Sequence, residues 1–518
     1  MKNRSKYLVT SSLILAAYYI ICGIHLSREA YLSQEALFYI EKSQIVLHGL
    51  GSKLKVIGLT APIIPFYTAL IFSPINTVLA PIIASSICTA VLFYIIATAL
   101  LKKLNDFFYL FLLLVIFIFH PGIIYAACSG KSISISLIFF FLFFYNLLKF
   151  YQSSTTFHVS VSSMCLVLLI FCDFKFIWLS LCFIPLVLII TIQSLKLGEQ
   201  ESIFRLFLSF NNPSLRRKLT SKTMSLYIIL FALPFACVVC YRLLNLTHGN
   251  NLDYFTESPY SSWTVLADKL TFDQVSSGAD VKLLPQVSLI ISARMVMFCP
   301  LILVAIYLFR ESTYQILTII TPFAFVEFLH IQNDKLFLVY EYYLIFLVLA
   351  LLCVLYKAQT IKNQVVLKSV VGLLVLLQLY TGFIFLQNSS IPEEKGFITS
   401  FFNNTTKTPQ DDNREIAFYL NKLPVDANIL VDDAIAYPVL AFCNHIERFT
   451  LPFQASYLSA VEAPDQYDQY ILLATTKNEA TGYTQLNNKY IPAIKRANGN
   501  VKLHSVYETD TWIVYKVY

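Results

Sequence analysis

Of 518 residues, 57% are hydrophobic and 13% charged, with a mean hydropathy of +0.65, which excludes a water-soluble globular protein of this length and leaves a polytopic membrane protein. The formal charge of +7 does not point to nucleic acid, because the basic residues fall mainly in short loops between apolar runs, where the positive-inside rule accounts for them. The eleven cysteines give no disulfide framework and no zinc-spaced cluster: Cys22, Cys88, Cys165, Cys182, Cys237 and Cys240 lie in apolar runs as small hydrophobes, and only Cys443 lies in the polar tail. No metal and no cofactor is expected.

In chain order, a basic start (Lys2, Arg4, Lys6) leads into an apolar run over 7–26, which imitates a signal peptide but is followed by ten more spans and so reads as the first membrane helix. The others fall near 78–101, 107–127, 132–149, 158–173, 175–193, 224–244, 287–309, 312–331, 336–356 and 366–387. The segment 59–75, with Pro62, Pro65 and Pro74, is taken to dip into one leaflet without crossing. That choice puts Lys102 and Lys103, the basic loop 194–223 (Lys196, Arg205, Arg216, Arg217, Lys218, Lys222), Arg310, Lys357, Lys362 and Lys368 on the cytoplasmic side of the inner membrane. The N-terminus is then cytoplasmic. Outside lie the loop 27–77, the turns near 128–131 and 173–175, the loop 245–286, the turn 330–335 and everything from about 388. The rare charges near span ends, His120, Arg242, Arg294, Glu327 and Glu341, lie towards that outer side, which implies a polar cavity opening outward.

Residues 388–412 are polar and read as a linker between a membrane domain, 1–387, and a soluble domain, 413–518. Within the latter, 413–423 has helical spacing, while 427–431, 470–474 and 512–517 read as strands, giving a small α/β domain without a glycine-rich phosphate loop.

Several outer residues could carry chemistry. Glu35 opens an interfacial helix, and serves either as a general base at the mouth of the cavity or as a helix-start carboxylate that satisfies the dipole. Glu29 is its substitute. Lys53 and Lys55 precede the proline dip, where two ammonium groups either hold a lipid phosphate or anchor the loop on headgroups. Lys131, after the turn Pro121-Gly122-Ile123-Ile124-Tyr125-Ala126, adds a cation on the same side. Asp173 and Lys175 suit a local salt bridge, and Arg294 either pairs with Glu341 or binds an anion. The stretch Tyr254 to Ser261, with Tyr254, Glu257 and Tyr260, is a candidate donor or acceptor loop.

This order of features resembles the GT-C glycosyltransferases, and among them the bacterial relatives of protein O-mannosyltransferases and of the lipid A aminoarabinose transferase. The resemblance implies a GT-C-like bundle of about eleven spans plus a re-entrant segment, with the small α/β domain outside the cytoplasm. It also implies metal-independent, inverting transfer of a sugar from a polyprenyl-phosphate-linked donor to a glycan, lipid or protein acceptor, amid membrane lipids. The family's Asp-Glu pair falls on Gln34-Glu35, so the first acid is missing, and Gly130-Lys131-Ser132-Ile133-Ser134 lacks the acid many members carry after the Pro-Gly turn. Two other functions stay open: a noncatalytic GT-C-like protein binding lipid or glycan within a complex, and a lipid or solute transporter.

Overall fold

The computed structural model describes residues 2–104, 106–153, 155–194, 213–266, 292–310, 313–333, 340–389, 391–402, 409–478, 484–496 and 503–518. Lys196 and Arg205, the part of the loop 245–286 beyond residue 266, the turn at 334–335 and residues 403–408 lie outside that set.

Each apolar run carries helix. Among the described residues, six helices are long and apolar enough to cross a membrane: Ser5–Arg28, Ala80–Lys103, Ile133–Ser153, Arg216–Gly249, Tyr340–Thr360 and Gln364–Gln387. Two bent pairs are apolar enough to be a broken span or a re-entrant loop, Phe107–Phe119 with Pro121–Cys128 at 59° and Ser292–Phe298 with Leu301–Phe309 at 103°. Both bends fall at a proline, Pro121 and Pro300, whose ring and missing N–H break the hydrogen-bond ladder. Thr156–Cys172, Phe176–Leu188 and Gln315–Leu329 are apolar but shorter than a straight crossing requires.

The burial pattern is that of a bundle solvated by lipid. Leu13, Ile21, Ile228, Phe235, Leu373 and Leu376 are each more than 60% exposed along the outermost helices, a surface that water would penalise heavily. Inside, Phe140, Phe141, Phe143 and Phe144 are buried, and the Phe143 and Phe183 rings meet edge to face at 5.2 Å. A short helix, α3 (Lys53–Leu59), leads into the proline dip, which forms a second, α4 (Ile63–Phe72), with Pro62 as its N-cap. Ten residues of helix reach about 15 Å, half the hydrocarbon thickness, too short for a crossing by this helix alone.

The tail is a five-stranded sheet in the order β2-β1-β3-β5-β4 (β1 Ile429–Leu430, β2 Phe449–Thr450, β3 Tyr470–Ala474, β4 Leu503–Glu508, β5 Trp512–Val517). β1 runs parallel to β2 and β3, whereas β5 runs antiparallel to β3 and β4. The strands at 470–474 and 512–517 match the sequence expectation; β1 is shorter than the apolar run 427–431, because its ladders with both neighbours involve only Ile429 and Leu430. The helix expected over 413–423 is Pro409–Lys422. The polar stretch read as a linker contains a helix, Pro392–Phe402, whose Phe397 and Ile398 are buried in the membrane bundle's core.

Helix α2 (Gln34–Leu47) does not lie open at the interface; it is sandwiched between the bundle and the tail. Ser33 caps it, its Oγ accepting the Ala36 N–H at 3.0 Å. Ile45 and Val56 belong to the tail's own core with Ile416, Leu440 and Val514, and Phe38 meets the Tyr437 ring at 5.8 Å. Bonds to backbone carbonyls fix the contact further: the Ser52 N–H donates to the Phe453 carbonyl at 3.1 Å, and the Arg414 guanidinium donates to the Ser27 carbonyl at 2.8 Å.

Candidate active site

The turn after α7 (Pro121–Cys128) delivers Lys131 beneath the start of α2. Gly130 makes this possible: at φ +76° it occupies a conformation that side chains avoid, and an added Cβ would stand 2.8 Å from that of Ala36. Lys131 is buried, so its charge needs partners. It has two at bonding distance, Glu341 Oε1 at 2.5 Å and Glu393 Oε1 at 2.9 Å. Burial alone would lower its pKa, but the carboxylates of Glu341, Glu393 and Glu35 outweigh that and hold it well above the usual lysine range.

Glu35 faces the same turn, and its Oε1 accepts the Ser132 N–H at 3.3 Å. Burial, with the Glu341 carboxylate adding to it and Lys131 and Ser132 opposing, pushes its carboxyl up to about 7. The carboxylate of Glu393 receives three donors: Lys131, the Tyr125 hydroxyl at 3.3 Å and the Gln34 N–H at 3.5 Å. Its neighbour Glu394 turns the other way, accepting the Tyr340 N–H at 2.6 Å and the Ser389 hydroxyl at 2.5 Å. Burial raises the Glu394 carboxyl to about 7 as well.

The acid missing after the Pro-Gly turn is thus met in space by Glu341 and Glu393, which sequence order places more than 200 residues downstream. Of the two readings of Arg294, the pairing with Glu341 is not seen: Glu341 bonds Lys131, and Arg294 lies near Tyr343. Glu393 fell inside the supposed linker. A sequence signal for it existed, since Pro392 followed by two glutamates, then Phe397 and Phe401 four apart, is a helix start with one apolar stripe.

The other candidates lie apart. Glu29 is half-buried past the end of α1 (Lys2–Arg28), and no ion pair or side-chain hydrogen bond is seen for it among the described residues. Lys53 is exposed and Lys55 half-buried on α3, and neither makes an ion pair with the Lys131 carboxylates. Tyr254 and Glu257 bound a single helical turn, where Glu257 accepts from the Asn251 amide at 2.7 Å, and Tyr260 packs on Phe453 of the tail at 6.1 Å. Asp253 pairs with Arg242. Asp173 accepts the Lys175 backbone N–H at 2.9 Å, a turn-capping bond.

A second buried polar group ties α2 to the tail. Lys42 bonds Asp433, lies 3.1 Å from Glu41 Oε2, and sits between the Phe38 and Phe453 rings at 4.9 and 4.6 Å. Nothing in the sequence pairs these residues.

Among the described residues, a hollow of about 10 Å³ lies beside Tyr39, Gly130, Lys131 and Ser132, room for about one water. A larger hollow of about 440 Å³ lies on the tail between Asp412, Glu415, Lys477 and Asp510, away from this cluster.

No family model and no curated protein matches the chain. Among solved structures it is similar to ArnT from Cupriavidus metallidurans, the lipid A aminoarabinose transferase, in two states. The apo state covers 98% of both chains at a TM-score of 0.51 and 10% identity. The state bound to undecaprenyl phosphate covers 97% of both chains at 0.49 and 10%. Over nearly its whole length, this polytopic helical membrane protein with its small C-terminal α/β domain has the GT-C fold.

Proposed function

We propose that the protein transfers a sugar from a polyprenyl-phosphate-linked donor to a glycan, lipid or protein acceptor on the outer face of the cytoplasmic membrane. The observation that carries this is the meeting of one buried cation, Lys131, with a carboxylate raised to about 7, Glu35, at a glycine turn of a GT-C bundle. Such a donor already holds its leaving group. The protein must hold a phosphate, orient the anomeric carbon and accept one proton.

In this reaction Glu35 takes the proton of the acceptor hydroxyl or amine as the acceptor bonds the anomeric carbon. The bond from that carbon to the phosphate oxygen breaks, and the polyprenyl phosphate leaves against Lys131. Attack from the face opposite the phosphate inverts the anomeric centre. Because the leaving group is an anion already met by an ammonium, neither a protonated acid nor a metal ion is required of the mechanism. A carboxyl near 7 is matched to this task, since a base must be ionised yet still hold a proton usefully at working pH.

The test is sugar transfer in proteoliposomes supplied with polyprenyl-phosphate sugars. Glu35→Gln is expected to lower turnover at least about a hundredfold with donor binding retained. Unchanged turnover in this variant would show that Glu35 is not the base. One observation favours the noncatalytic GT-C reading: Lys131 is already engaged by two carboxylates beside a cavity of about 10 Å³. Wild type that binds undecaprenyl phosphate but turns over no donor would decide for it.

A further inference from the structure

The donors around Glu393 come from three separate elements. Lys131 belongs to the turn after α7, Tyr125 to α7 itself, and the Gln34 N–H to the first turn of α2, where helix amide groups favour an anion. None is a sequence neighbour of Glu393. A buried ammonium, a phenol and a free helix N–H converging on one point form an anion site, and the anion in it is a side chain of the same protein. That side chain arrives on the helix Pro392–Phe402, which directly follows the span Gln364–Gln387 and holds its place by ring contacts. Phe397 meets Tyr31 at 5.8 Å and Tyr125 at 5.0 Å. Glu393 keeps about a fifth of its side chain exposed, so it has a way out to solvent.

The site cannot serve an external phosphate while Glu393 fills it. All three donors are bonded to the Glu393 carboxylate, so an oxyanion gains them together only by replacing it. We propose that Glu393 is a built-in stand-in for a phosphate: a lipid-linked phosphate displaces it from Lys131, Tyr125 and the Gln34 N–H, and the helix Pro392–Phe402 lifts as it leaves. This rests on Lys131 as the donor-phosphate residue and adds the order of events at that site. The exchange is balanced in charge type, one oxyanion for another, so the buried ammonium is never left bare. Glu341 remains on Lys131 throughout and sets how strongly that lysine still attracts a second anion.

The experiment uses the full chain in nanodiscs, with undecaprenyl phosphate and, separately, inorganic phosphate as probes. E393Q is expected to bind undecaprenyl phosphate about tenfold tighter than wild type, since the amide competes poorly for the ammonium. Lys131→Met is expected to weaken binding in both backgrounds. In wild type, amide hydrogen exchange over 392–402 is expected to rise on saturation with undecaprenyl phosphate, a measurement that needs no variant to fold. If inorganic phosphate raises exchange equally, the displacing ligand is the phosphate group alone; if only the lipid does, the chain contributes. Both results support the exchange. If E393Q binds no tighter while Lys131→Met still weakens binding, the stand-in is overturned and Lys131 keeps its role. If Lys131→Met changes nothing, both fall. Exchange over 392–402 that stays constant or drops at saturation overturns the displacement.

Discussion

Asp433→Asn isolates what the buried Lys42 contributes to docking the tail on α2. In the wild type, Lys42 and Asp433 are both fully buried and bonded, with Glu41 as the other nearby carboxylate at 3.1 Å. Glu41 is a weaker partner, because burial raises its carboxyl, to about 8 with the Asp433 carboxylate adding to it. Losing Asp433 therefore leaves the ammonium with Glu41, whose burial still opposes its ionisation, and the Phe38 and Phe453 rings at 4.9 and 4.6 Å, about 2 kcal/mol when desolvated. Stranding one partner of a buried pair costs about 3–5 kcal/mol. Replacing both, as Lys42→Met with Asp433→Asn, leaves no uncompensated charge and is expected to recover to within about 1–2 kcal/mol of wild type. The assay is native-state hydrogen exchange on the intact chain in detergent, read at the buried β1 and β3 amides. A single-variant cost below about 1 kcal/mol, or a double variant as unstable as the sum of the singles, would refute the reasoning.

Three other outcomes are expected. With Glu35 raised to about 7, the proposed base role requires that transfer climb as pH rises through about 7 and that Glu35→Gln abolish that limb in a pH–rate series; the same raised carboxyl means that ionisation costs the folded state, so the stability contributed by its neutral form is lost between the unfolded carboxyl range and about pH 7, visible as a falling melting temperature. Gly122→Ala places a Cβ 1.9 Å from Tyr340 Cε1, a clash that should cost about 1–3 kcal/mol and lower the melting temperature of the purified protein, whereas Gly58→Ala, with open space around it, should not. If the tail lies outside, a cysteine at the exposed Lys477 should react with an impermeant maleimide in intact cells and one at the exposed Arg217 should not; the opposite labelling would invert the orientation.

The membrane helices were legible because each rests on a local property, an unbroken apolar run, which lipid converts directly into helix. β3 and β5 were legible for a similar reason: Tyr470–Ala474 and Trp512–Val517 are rich in β-formers and bounded by polar turns. β2 was not, since two residues carry no periodicity, and it exists only because Phe449 and Thr450 pair with β1. The candidate site divides the same way. Glu35 and Lys131 stand at turns that sequence pattern marks, whereas Glu341 and Glu393 become partners of Lys131 only through the packing of three helices. The Lys42 to Asp433 bond spans 391 positions, and a single sequence holds no trace of such a pairing. The helix Pro392–Phe402 was not legible because its charged first half, Pro-Glu-Glu-Lys, hides the apolar stripe of the second.

The shared core of α2, α3 and the tail has a consequence for how the protein is made. Ile45 and Val56 are structural members of a domain whose other residues are synthesised some 360 positions later. The sheet also ends, at Asp432 and Asp433 after β1, at the point where parallel strands diverge to either side and where open α/β sheets take their ligands. Here that notch takes Lys42. A tail released on its own would present an acidic crevice and lack two apolar plugs, so the first loop is needed to complete its core. Biogenesis is thereby ordered: insertion of the earliest spans comes first, and the last domain matures by closing onto them.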